Sequence, residues 1–227
     1  MSRFSLVLYL LACVALPTAA CAQSARRADD ARICATQAGP AAVESCSRAI
    51  ASRHFAHREL ALLHYRRAVL LRDANELDRA IADVTVAIHL NGDAIPTSAD
   101  AFDLRVSQRH AYALRGAAYA EKHDYDHALA DYDALLAADP RDVSALMARA
   151  GVFARQGACE RAVADYDAAL TLDPKVPDGY LGRARCHVQL GKRDRAVADY
   201  RAALAAGVSD AVKPQILAEL EKLGAAP

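Results

Sequence analysis

Apolar and polar positions alternate along this chain with a helical period, and one ten-residue phrase returns four times. It reads RAIADVTVAI from Arg79, HALADYDALL from His127, RAVADYDAAL from Arg161 and RAVADYRAAL from Arg195. The matching alanines Ala80, Ala128, Ala162 and Ala196 stand 48, 34 and 34 residues apart. A period of about 34 residues is that of a helix–turn–helix unit, which hides its apolar face only by stacking on a neighbour. The pattern therefore predicts an all-α solenoid of antiparallel helix pairs, an architecture used far more for binding than for catalysis.

The same pattern divides the chain. A degenerate N-terminal helix pair is predicted over 31–56, where AAVESCSRAI puts Ala42, Cys46 and Ala49 at the alanine, aromatic and alanine places of the later phrases. Repeats follow over 57–92, 93–140, 141–174 and 175–208. A capping helix lies in 209–227, with Ile216, Leu217, Leu220 and Leu223 spaced to share one face. Pro140 and Pro174 stop two of the units, and Gly157 and Gly191 mark hairpin turns. The first interval exceeds the others by 48 − 34 = 14 residues. That extra text, PTSADAFDLRVSQR, predicts a first helix of the second repeat longer by about four turns.

The N-terminus has a different character. Arg3 precedes an apolar run from Phe4 to Leu16, then Pro17 and small residues through Ala22, a pattern that predicts an export signal over 1–22 and a flexible polar lead-in over 23–30. The apolar run is too short to span a bilayer. Cleavage after Ala22 would leave a periplasmic protein starting at Gln23. The alternative is a lipoprotein anchored through Cys21, although Thr18 stands where such signals usually carry leucine. Membrane association follows only from that alternative.

Charge narrows little: 28 basic residues balance 28 acidic ones, so bulk electrostatics points to neither nucleic acid nor an anionic surface. Removing 1–22 leaves four cysteines, an even set that an oxidising compartment would allow to pair. Cys34 and Cys46 lie six residues either side of Pro40, level on antiparallel helices, and a bridge is expected there. A second, between Cys159 and Cys186, is expected less directly, since their levels agree only to about one turn. Buried thiols acting as small apolar fillers are the competing reading for all four.

With these residues in place the repeats resemble tetratricopeptide repeats, in a bacterial exported style. The second shows it best, with Tyr112, Arg115, Gly116, Tyr119, Tyr125, Ala128, Tyr132 and Pro140 in the family's order. The third keeps Gly157, Ala162, Tyr166, Ala169 and Pro174. The fourth keeps Tyr180, Gly191, Ala196, Tyr200 and Ala203, with His187 where an aromatic is usual. The first is the weakest, with Val84 and Gly92 departing from the pattern. The resemblance implies a right-handed superhelix with capping helices, acting as a non-enzymatic scaffold for a peptide or protein on its concave face. By matching places, that face comprises Tyr65, Val69 and Arg72; Ala113, Ala117 and Ala120; Met147, Gly151 and Ala154; and Leu181, Arg185 and Val188. The lysine and asparagine of the family's carboxylate clamp are missing from these places. Small residues there also serve tight packing, which is the plainer reading of them.

Arg67, Arg115, Arg149 and Arg183 recur once per repeat, as do Asp83, Asp131, Asp165 and Asp199. Each aspartate is expected level with the arginine of its own repeat and that of the next, forming a ladder of charge-assisted hydrogen bonds. No phosphate-binding loop, dinucleotide signature, nucleophile elbow or zinc-protease motif occurs. No catalytic residue, cofactor, small-molecule substrate or nucleic acid is indicated. His123 and His127 flank a hairpin turn and do not share a helix face, and His54, His57 and His64 read as polar residues where a helix begins, so no metal is indicated either. An accessory subunit of an enzyme remains an alternative to a free-standing scaffold.

Overall fold

The computed structural model describes residues 18–92 and 102–225 and, for 18–21 and 102–107, the backbone alone. The described residues form eleven helices and no strand, in two compact units, Met1–Asp93 and Ala94–Pro227. The fold is an all-α solenoid of antiparallel helix pairs.

The first unit contains α1 (Thr18–Thr36), α2 (Pro40–Ala51), α3 (His57–Asp73) and α4 (Leu77–Asn91). Proline at the first position of α2, preceded by Gly39 at φ +84°, separates α1 from α2, since proline fits a helix start and glycine accepts the left-handed backbone before it. Residues 23–30 are helical, not a loose lead-in: they belong to α1. Side-chain contacts tie that helix down. Arg48 of α2 donates through Nε and Nη2 to Asp30 at 3.0 and 2.7 Å, and Cys34 is bonded to Cys46 across a Cα separation of 4.8 Å. Cys34, Ala42, Cys46 and Ala49, all fully buried, pack with Leu63 and Leu70 of α3. The degenerate pair is thus fastened to the first repeat by an apolar cluster.

The second unit contains α5 (Phe102–Glu121), α6 (Tyr125–Ala138), α7 (Val143–Arg155), α8 (Cys159–Leu172), α9 (Pro177–Gln189), α10 (Arg193–Ala206) and α11 (Lys213–Lys222). α5 runs for 20 residues against 13 in α7 and α9, an extension of about two turns. The predicted four turns would include residues 96–101, which lie outside the described residues. Arg109, in the extra text, reaches Asp142, which also caps α7 by accepting from the Ala145 N–H. On α11, Ile216 and Leu220 are fully buried and Leu223 packs with them, while Leu217 turns outward. Leu217 departs from the predicted face because it follows Ile216 directly, about 100° further round the helix.

The hairpins of the four repeats close the same way. Asn75, His123, Gly157 and Gly191 take positive φ, and the next residue donates back to the carbonyl five positions earlier. These bonds are Glu76 to Leu71, Asp124 to Tyr119, Ala158 to Phe153 and Lys192 to His187, at 2.8–2.9 Å. This Schellman closure satisfies carbonyls that a helix end otherwise strands. Two of the four turns do without glycine, so glycine alone could flag only the last two.

Close helix approach follows from the small residues. Ala68, Ala150 and Ala184 are fully buried. A Cβ on Gly116 would meet the Tyr132 ring at 2.9 Å, and one on Gly182 would lie 2.4 Å from Tyr166. The arginine–aspartate ladder is present but differently wired. Within each repeat the guanidinium grips its own aspartate through Nε and Nη2: Arg67 on Asp83, Arg115 on Asp131, Arg149 on Asp165 and Arg183 on Asp199, at 2.6–2.9 Å. The reach to the preceding helix pair goes to the residue two places past the predicted aspartate. Arg149 Nη1 takes Asp133 and Arg183 Nη1 takes Asp167, while in the first unit Arg67 Nη1 takes Ser47. Two residues along a helix turn the side chain by about 200°, which exchanges the buried aspartate for one at the rim. The fourth repeat carries Arg201 at that place.

The ladder carboxylates are not equivalent. Burial alone would raise both Asp83 and Asp131. At Asp83, hydrogen bonds from Arg67 and then His64, together with their charges, more than reverse this, so the carboxyl lies below its ordinary value. At Asp131 the single partner Arg115 does not overcome burial, and the carboxyl lies above it. His64 is therefore a buried ladder member, with Nδ1 2.9 Å from Asp83, and not a solvated residue at a helix start.

Candidate binding face and terminal cavity

The twelve residues predicted for the binding face divide between the units. In the first, Tyr65, Val69 and Arg72 are half-buried on α3. In the second, Ala113 is exposed and Ala117 half-buried on α5, but Ala120 is 6% exposed and belongs to the core with Ala128, Tyr132 and Leu135. It offers no lining side chain; its carbonyl accepts from Arg155 Nη1 at 3.3 Å. On α7, Met147 is shared by two apolar clusters, Ala154 is half-buried, and a Cβ on Gly151 would meet nothing within 4 Å. Gly151 thus opens a gap in the wall and is not packed beneath a neighbour.

The three residues on α9 come together at a cavity of about 570 Å³, with Leu181, Arg185, Val188 and Gln189 on one side, Tyr200 of α10 at the floor and Gln215, Ile216, Glu219 and Lys222 of α11 opposite. Its base is apolar: Leu181, Tyr200 and Ile216 are all buried, and Val188 is an exposed valine at its edge. Its polar groups differ in how far they are already satisfied. Lys222 pairs with Glu219 at 2.6 Å. Gln189 Oε1 accepts from the Cys159 thiol at 2.9 Å, which leaves its amide N–H groups as what it offers the cavity. Arg185, exposed on α9, has no carboxylate partner in any ion pair among the described residues. Burial pushes the Tyr200 hydroxyl above its ordinary value, Glu219 adds to that, and Arg185 opposes it. The two charged side chains therefore act on the floor from opposite walls.

The α11 wall escaped the sequence reading. Gln215, Glu219 and Lys222 recur at i, i+4 and i+7, a polar stripe beside the buried Ile216 and Leu220 that the apolar spacing alone does not reveal. That spacing was the available signal.

Cys159 and Cys186 are neighbours but remain thiols, so the second expected bridge is not formed. Both are buried among Ala150, Phe153, Ala162 and Tyr166. Burial, then the adjacent Cys159, pushes the Cys186 thiol up to about 12, so the thiolate needed for disulfide chemistry is scarce at neutral pH. The turn histidines are engaged locally: His123 Nδ1 lies 2.8 Å from the Tyr125 hydroxyl, and His127 meets Asp124 and stacks on Tyr119 with centroids 4.9 Å apart. Among the described residues no three histidine, cysteine or acidic side chains converge to hold a metal ion, and no helix is long and apolar enough to cross a membrane.

Residues 113–177 and 177–206 match two family models, each described as tetratricopeptide repeat. No curated protein matches the sequence. Among solved structures, a tetratricopeptide repeat protein from Parabacteroides merdae is 20% identical with a TM-score of 0.67, covering 81% of this chain and 66% of its own, so the chain spans just under two thirds of that relative. A MamA structure from Desulfovibrio magneticus RS-1 is 17% identical with a TM-score of 0.59, over 73% of this chain and 83% of that one. Another MamA structure is 15% identical with a TM-score of 0.58, over 82% and 87%. At these identities the likeness is one of fold.

Proposed function

Because this chain belongs to the tetratricopeptide repeat family, whose members bind peptides or proteins, we propose that it is a non-enzymatic scaffold that receives a protein partner on the face formed by α5, α7 and α9. The observation carrying this reading is the relief of that face: Ala113 and Val188 exposed, Gly151 facing open space, and a cavity lined by Leu181. An apolar, recessed surface of this kind gains most when a partner side chain displaces its water.

We place the protein in the bacterial envelope, exported to the periplasm. The Cys34–Cys46 bond supports this, because a structural disulfide persists in an oxidising compartment. The mass of the mature N-terminus under non-reducing conditions tests it: Gln23 as first residue fits export, acylated Cys21 fits the lipoprotein alternative, and an uncleaved chain contradicts both. The scaffold reading is tested by cross-linking in envelope extract with wild type and Gly151→Glu, whose new side chain has room. A partner cross-linked to wild type and lost from the variant is the expected outcome; an unchanged cross-linking pattern would remove this face from the proposal.

A further inference from the structure

The terminal cavity says more about its occupant than the rest of the face does. Resting on the scaffold reading above, we propose that it takes an internal, extended peptide segment of the pattern aliphatic–x–acidic–x–aliphatic, with the acidic side chain held by Arg185 and Gln189.

The order of side chains on α9 carries this. Leu181, Arg185 and Val188 all line the cavity and follow one another at four and three residues, so they form one stripe of apolar, cationic and apolar groups. The helix rise puts about 6 Å between the first two levels and about 4.5 Å between the last two. In an extended peptide, side chains on one side recur every two residues, about 6.6 Å apart. A chain running along α9 would therefore present every second residue to successive members of the stripe. Apolar groups flank the cation on both sides, which calls for a ligand that continues past its acidic residue and does not end in a terminal carboxylate.

Charge supports one anion and no more. Lys222 is neutralised by Glu219, while the Arg185 guanidinium has no carboxylate partner in any ion pair among the described residues. Gln189, one turn further along α9, is oriented by the Cys159 thiol so that its amide N–H groups are left to donate. A guanidinium and an amide donor on one wall complement a single carboxylate. The apolar floor of Leu181, Tyr200 and Ile216 accepts aliphatic side chains.

The test uses the folded protein and three blocked peptides, acetylated and amidated, with the cores Leu-Ser-Glu-Ser-Leu, Leu-Ser-Gln-Ser-Leu and Ser-Ser-Glu-Ser-Ser. A fourth peptide ends in a free carboxylate after Leu-Ser. Affinity is read by calorimetry and location by amide chemical shifts. The first peptide should bind with shifts confined to α9, α10 and α11, and the other three should be about tenfold weaker or worse, the glutamine peptide through loss of one charged hydrogen-bonded contact and the other two through loss of aliphatic contacts. Arg185→Gln, at an exposed site, should weaken the first peptide about tenfold and leave the glutamine peptide unchanged; Val188→Asp should weaken both.

Equal binding of the glutamate and glutamine peptides, tighter binding of the free carboxylate, or no binding to wild type would each overturn the proposal. Shifts on α5 and α7 alone would also overturn it, and that outcome leaves the scaffold reading intact. Loss of cross-linking in Gly151→Glu bears on the scaffold reading alone, so the two can fail separately.

Discussion

Arg149 holds two aspartates from different helix pairs, Asp165 of its own through Nε and Nη2 and Asp133 of the preceding one through Nη1, at 2.7–2.8 Å. The two bonds differ in worth. Asp165 is buried and hydrogen-bonded twice, whereas the Asp133 side chain is 60% exposed and bonded once. Asp165→Ala takes two of three bonds from a half-buried guanidinium and leaves it only the exposed Asp133, at an expected cost of about 2–3 kcal/mol; Asp133→Ala is expected to cost about 1 kcal/mol or less. Urea midpoints of the two variants measure the contrast, and equal losses would show that the bond between helix pairs matters as much as the one within.

Gly151 and Gly182 lie on first helices of adjacent repeats and should respond to alanine in opposite directions. Gly182→Ala drives a methyl into the buried Tyr166 ring, with an expected loss of about 1–3 kcal/mol. Gly151→Ala meets nothing and removes a glycine from a helix interior, with an expected gain of about 0.5–1 kcal/mol. Thermal unfolding of both variants beside wild type would settle the signs.

His187 is buried with Nδ1 unpartnered, its Nε2 lying 3.7 Å from Asp199. Burial holds the imidazole below its ordinary value; Asp199 opposes this, while Arg183, Arg195 and Lys192 add to it. Below about pH 6.5 the unfolded chain therefore takes up a proton that the folded chain resists, and this residue's contribution to stability is lost as pH falls towards the lower folded value. His187→Phe removes both penalties. It should gain about 1 kcal/mol at pH 7, and its lead over wild type should widen by pH 5.5. A constant or shrinking lead between those two pH values would contradict the assignment.

The Cys34–Cys46 bond closes a short loop between α1 and α2. Breaking it with Cys34→Ser should cost about 2–4 kcal/mol in the stability of the first unit. Reductant should reproduce that loss in wild type and change nothing in the variant, since Cys159 and Cys186 are already thiols. Denaturant unfolding followed with and without reductant is the measurement. A reductant effect persisting in Cys34→Ser would point to the other pair.

Residues set by local rules were legible in the sequence. Proline and the alanine period placed helices and turns, and the equal offsets of Cys34 and Cys46 from Pro40 put the two residues side by side, with Cα atoms 4.8 Å apart. What escaped depends on rotation about a helix axis or on contacts between distant segments. The repeat spacing points Arg149 at Asp131 on the preceding pair, whereas its partner is Asp133, two residues on and about 200° round the helix. Ala120 has the periodicity of a lining residue yet is covered by the neighbouring helices. The cavity needed α11 in position before its polar stripe acquired meaning. Residues 23–30 belong to a helix held by contacts distant in sequence, Asp30 with Arg48 and Cys34 with Cys46.

Asp133 and Asp167 each extend a carboxylate to the guanidinium of the following repeat, and the fourth repeat bears Arg201 in their place. A fifth copy of the unit grafted after α10 would bring its own arginine to Arg201, where the α6–α7 and α8–α9 junctions each offer that arginine a carboxylate. The substitution sets the fourth repeat apart: a module inserted between the third and fourth repeats would find Asp167 for its arginine, and one grafted beyond the fourth would find no aspartate at that place.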